Sequence, residues 1–110
     1  CVPAHTAMAK RMMISEKVTT ALRDETPLPT NKLERLREFT LILVRKRGYA
    51  SDTEIATFLK IGYTHQNILE IVLGIAQKVV SNYVNHLAQT PVEDQHKKYT
   101  WSKAVTTRLS

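Results

Sequence analysis

From Thr64 to Ala88 the chain carries one unbroken helical pattern, and no other stretch restricts the fold as much. At about 100° per residue, the apolar positions Ile68, Leu69, Ile71, Val72, Leu73, Ile75, Ala76, Val79, Val80, Tyr83, Val84 and Leu87 sweep roughly 220° of the circumference. A helix with one solvent face needs a narrower stripe, so this one requires neighbours on several sides. Thr64 is placed to cap it and Pro91 closes the region. Gly74 in its interior costs about 1 kcal/mol against alanine, which points to close backbone packing there. A chain of 110 residues has few other helices to offer. Self-association is expected to cover part of the surface.

The remaining segments also read as helical. Pro3 fits a first turn, and a helix is expected over residues 3–13. Ser15 is a suitable N-cap for a short helix from Glu16 to about Asp24, with Val18, Ala21 and Leu22 on one side. Pro27 and Pro29 then form a stiff connector. Asn31 with Glu34 resembles a capping box for a helix ending near Arg47, before Gly48. Ser51-Asp52-Thr53-Glu54 is a cleaner box, opening a helix through about Lys60. After Pro91 the pattern weakens. Tyr99 and Trp101 suggest a short helical turn and then a tail that docks on a neighbour. No alternating strand pattern occurs. The expected fold is all-α, a bundle of about five helices with one long central hydrophobic helix, forming one domain over residues 1–110.

Charge and composition narrow the class. A 43% hydrophobic and 24% charged composition is ordinary for a globular chain, and no apolar run reaches the roughly 18 residues of a membrane span. The net charge of +6 is dispersed, with no basic run of five, so nucleic acid and membrane are not expected as partners. The single cysteine excludes an intrachain disulfide, in keeping with a reducing compartment and a cytoplasmic location.

That cysteine opens the chain, with a histidine four residues later: Cys1-Val2-Pro3-Ala4-His5-Thr6. If the stretch is helical, Cys1 stands at the helix N-terminus and His5 lies one turn on. The helix dipole and the imidazole both favour the thiolate, which makes Cys1 a candidate nucleophile and His5 its proton relay. The plain alternative is a terminal cysteine with a chance histidine nearby. Two ligands are too few for a metal site, since structural zinc takes four and catalytic zinc three.

Those residues, with Ala7, Ala9 and Lys10, resemble the second half of the Cys-x-x-Cys-x-x-x-His motif of the carboxymuconolactone decarboxylase and alkylhydroperoxidase D superfamily, in its peroxidase-related branch. The likeness continues through a Pro-bearing connector, a helix ending in Arg-Gly, Ser-Asp-x-Glu-Ile, Gly-Tyr-Thr and the segment Ser81–Pro91, covering about residues 1–101. The resemblance implies an all-helical fold, assembly as dimers, trimers or hexamers, and no organic cofactor. It also implies peroxiredoxin-type antioxidant activity, in which Cys1 attacks the peroxide, His5 relays protons and an external dithiol restores the thiol. The family's first cysteine and its glutamate would precede residue 1, so the activity is expected to be impaired in the chain as given. The chain also lacks an initiator Met, so it is expected to be a fragment or a trimmed product.

Asn82 and His86 lie one turn apart at the edge of the apolar side of the long helix. They form either a hydrogen-bonded structural pair or a supporting pair beside a catalytic or ligand site. Three other functional classes fit parts of the chain. A cofactor-free carboxymuconolactone decarboxylase-type enzyme shares the expected fold. A non-catalytic helical oligomer or interaction module is the expected description if the missing N-terminal part never existed. A helix-turn-helix DNA-binding protein is suggested by Thr53–Gly62 and the Thr-capped helix after it, but that second helix has no Lys or Arg before Lys78 and is expected to be buried.

Overall fold

A computed structural model describes residues 2–102 of the chain. Five α-helices and a terminal 3₁₀ turn account for its regular structure, and no strand occurs among the described residues: α1 (Val2–Arg11), α2 (Glu16–Asp24), α3 (Asn31–Arg45), α4 (Asp52–Lys60), α5 (His65–Ala88) and the turn at Asp94–Tyr99. The all-α expectation holds. Residue contacts divide the chain into two compact units, residues 29–90 and a second unit in which residues 91–102 return to residues 2–28. Pro29 and Pro91 stand at the two crossings, where the residue before a proline is pushed out of the helical region.

In the unit of α3, α4 and α5, the helix ends are set by local chemistry. The cap of α3 is Thr30, whose side chain accepts from the Leu33 N–H at 3.2 Å. This moves the expected cap one residue back, because Thr30 has the extended backbone that a cap requires (φ −113°, ψ 148°) while Asn31 is already helical. Gly48 takes φ +88° and returns its N–H to the Leu43 carbonyl at 2.9 Å, so α3 closes at Arg45. Ser51 and Glu54 form the full capping box of α4, with Ser51 N–H donating to Glu54 at 2.9 Å and Glu54 N–H to Ser51 Oγ at 3.1 Å. Thr64 and Asn67 make the equivalent pair at the start of α5.

These caps aim three apolar faces at one core. Phe39, Leu43 and Phe58 are its buried centre, with Leu36, Ile55, Tyr63, Ile68, Ile71 and Ile75 packed around them. Phe58 is stacked between Phe39 (centroids 4.2 Å apart, planes at 8°) and Tyr63 (4.4 Å, 7°). The Tyr63 hydroxyl donates to the Lys32 carbonyl at 2.7 Å, and burial pushes the phenol's pKa up.

Glu54 ties the α3–α4 turn to this cap. Lys46 Nζ donates to Glu54 Oε1 at 2.7 Å, and that bond, followed by the Ser51 N–H, holds the Glu54 carboxyl at a pKa of about 2. A folded-state pKa below the unfolded value gives stability that is present above the usual carboxylate range and lost as pH falls toward 2. Thermal melts should therefore show wild type above Glu54→Gln at pH 6, with the gap closing between pH 4.5 and 2. A gap that does not change with pH would refute the role given to this carboxylate.

In the other unit, α2 follows Ser15, which stands at the N-cap without making the expected side-chain bond. Its carbonyl instead accepts from Thr19 N–H at 3.1 Å and Thr19 Oγ1 at 3.3 Å. α1 ends at Arg11, two residues short of expectation, because Met13 turns left-handed at φ 59° and Ile14 N–H closes back on the Ala9 carbonyl. The 3₁₀ turn packs against α1. Arg23 Nη2 donates to the Tyr99 carbonyl at 3.5 Å, linking α2 to the same segment. Residues 103–110, the end of the expected tail, lie outside the described residues.

Candidate active site

α1 is helical from Val2, the first described residue, with Pro3 buried in its first turn, where a missing N–H is no loss. Thr6 is also buried and turns its hydroxyl back onto the Val2 carbonyl at 2.8 Å. With the Pro3–Thr6–Ala7 side facing inward, His5 comes to the exposed edge of the same helix. Cys1 itself lies outside the described residues, and His5 is the fourth residue of α1.

His5 lines a cavity of about 630 Å³. Val2, Thr6 and Ala9 of α1 form its wall beside His5, Val18 and Leu22 of α2 stand across from them, and Trp101 joins from beyond the 3₁₀ turn. The volume falls within the range of small-molecule sites, and the lining is mainly hydrocarbon with a few polar groups at the edge: His5, Thr19, Arg23 and Glu25. Glu25 reaches it because α2 ends there in a left-handed turn (φ 57°) that redirects the chain. Such a site can shelter an apolar body and present one reacting group to the imidazole. Among the described residues, no group of three or more His, Cys, Asp or Glu could hold a metal ion.

Trp101, Arg23 and Glu25 were not legible as site residues. Trp101 falls where periodicity fades, and its being the chain's one tryptophan was the only available signal. Leu22, expected on one side of α2 with Val18 and Ala21, is half exposed and borders the cavity.

Asn82 and His86 belong to α5, in the other unit. Asn82 is half-buried with its Oδ1 enclosed and without a hydrogen-bond partner, while His86 is exposed. An enclosed amide oxygen without a partner costs free energy.

The helix-turn-helix comparison can also be judged on side chains. The first turns of α5 after Gln66 expose Leu69, Val72 and Leu73. The groove-reading surface was expected to be buried; much of it is open to solvent but apolar, which suits neither bases nor phosphates. No helix among the described residues is long and apolar enough to cross a membrane.

No protein-family model matches the chain, and a search of the curated proteins found no match.

Proposed function

We propose that the chain acts as a thiol-dependent peroxide reductase of the alkylhydroperoxidase D type, with Cys1 as attacking thiol and His5 as proton relay. One observation carries the reading: the histidine four residues after the single cysteine lies on α1 and lines a mainly apolar cavity of about 630 Å³. The hydrocarbon lining suits the organic part of a hydroperoxide, and the exposed imidazole suits proton transfer at its polar end.

The Cys1 thiolate attacks one peroxide oxygen. A sulfur–oxygen bond forms as the O–O bond breaks, and the sulfur becomes a sulfenic acid. The departing alkoxide takes a proton by way of His5 and leaves as the alcohol. An external dithiol then attacks the sulfenic sulfur, releasing water and forming a mixed disulfide. Its second thiol displaces Cys1 as thiolate and leaves the carrier oxidised. With one cysteine in the chain, turnover waits on that carrier.

Organic hydroperoxide consumption, followed with an added dithiol, should vanish in Cys1→Ser. The wild type should acquire one sulfenic acid per chain when the dithiol is withheld. Consumption that survives Cys1→Ser would remove the nucleophile from this scheme.

A further inference from the structure

The outward side of α5 is a seam. Leu69, Leu73, Ala76, Val80, Tyr83 and Leu87 recur at intervals of four and three residues, and all six are exposed. Leu73 is 70% exposed, Val80 65% and Leu87 86%, while the opposite side of the helix sends Ile68, Ile71 and Ile75 into the core. An alternating four-three spacing is the signature of a helix that packs along its length against another helix, knobs into holes. It runs for about 27 Å at 1.5 Å per residue.

We infer that α5 pairs antiparallel with α5 of a second copy of this chain. Three features of the seam favour that occupant. Turned end for end about a two-fold axis level with Lys78, the seam meets itself in register: Leu69 faces Leu87, Leu73 faces Tyr83 and Ala76 faces Val80. The large residues then fall at both ends and the small ones at the middle, where the backbones can approach. A parallel pair would set Tyr83 against Tyr83 and Ala76 against Ala76, overfilling one layer and hollowing another.

Charge supports the same choice. Of the six positions flanking the seam, Val72, Val79 and Val84 are apolar and Gln77 and His86 are polar. Glu70 is the one carboxylate. The net charge of +6 is carried elsewhere on the chain, so two copies approach without like-charge contact across the seam. Antiparallel pairing also keeps the two Glu70 side chains about 24 Å apart along the axis. A lipid surface is the poorer occupant, because interfacial helices border their apolar face with Lys and Arg and this rim has none.

The area is sufficient. Leu69, Leu73, Val80, Tyr83 and Leu87 with the flanking valines expose on the order of 800 Å², about what each partner contributes to an interface of standard size.

Sedimentation equilibrium on the full chain at tens of micromolar should give twice the chain mass. Leu73→Glu with Val80→Glu places carboxylates in the seam without touching the core side of the helix. That variant should sediment at the chain mass, with unchanged helical circular dichroism and dimer dissociation raised at least about 100-fold. Orientation is read in a Cys1→Ser background. Leu69→Cys and Leu87→Cys chains should form disulfides when mixed, and neither should do so alone. A monomeric wild type, whether or not it binds phosphatidylcholine vesicles, overturns the proposal. So does a dimer indifferent to the two glutamates, or single-cysteine chains that link to themselves.

Discussion

Exchange of His5 for alanine is expected to slow organic hydroperoxide consumption by about 100- to 10,000-fold, the range over which a positioned acid–base group contributes to a reaction. The prediction follows from place as much as from residue type. His5 stands one turn into α1, exposed, at the edge of a mainly apolar cavity, so its loss removes a proton donor without opening the inner Pro3–Thr6–Ala7 side. Thermal unfolding should change little, which separates a chemical role from a structural one. Two further readouts make the distinction firmer. The dependence of rate on pH should flatten in the variant, because the group that exchanges the proton is gone. Part of the lost rate should return with added imidazole. A variant consuming peroxide at the wild-type rate would leave Cys1 without its proposed partner.

Replacement of Phe58 by alanine is expected to cost about 3–5 kcal/mol, the usual range for removing a buried aromatic ring from a core that cannot collapse. Phe58 is 2% exposed and is the middle ring of three, so the change ends both the Phe39 and the Tyr63 stacks. It also loosens the floor on which Ile68, Ile71 and Ile75 of α5 rest. Small domains have only about 5–15 kcal/mol in total, so much of the stability of this unit depends on one side chain. The urea midpoint should fall steeply, while Phe58→Leu, which keeps most of the volume, should fall clearly less. A loss below about 1 kcal/mol for Phe58→Ala would mean that the ring stack does not hold the unit together.

Helix positions were legible because local signals decide them. The Ser51–Glu54 box, Thr64 before His65, Gly48 after Arg47 and the spacing of α5 each act within a few residues; α4 and α5 start where those signals put them, while α3 stops at Arg45, two residues before its expected end. The misplaced α3 cap shows the limit of such signals. Thr30 and Asn31 are both suitable caps, and the choice depends on which of them takes extended backbone after Pro29. The helical placement of His5 was legible in the same way, while Cys1 lies outside the described residues.

The sequence by itself determined that the chain is helical, roughly where each helix starts and stops, and that α5 has more apolar surface than one neighbour can cover. Each of these follows from periodicity and capping, which are short-range. Only the tertiary structure decided which apolar face is inside. Ile68, Ile71 and Ile75 are equivalent in kind to Leu69, Leu73 and Val80, yet the first set meets Phe39 and Phe58 and the second meets solvent. It likewise decided that Trp101, 96 positions after His5 in the chain, borders the same cavity, because residues 91–102 return to α1 and α2. Long-range closure of that kind leaves no periodic trace in the residues it joins.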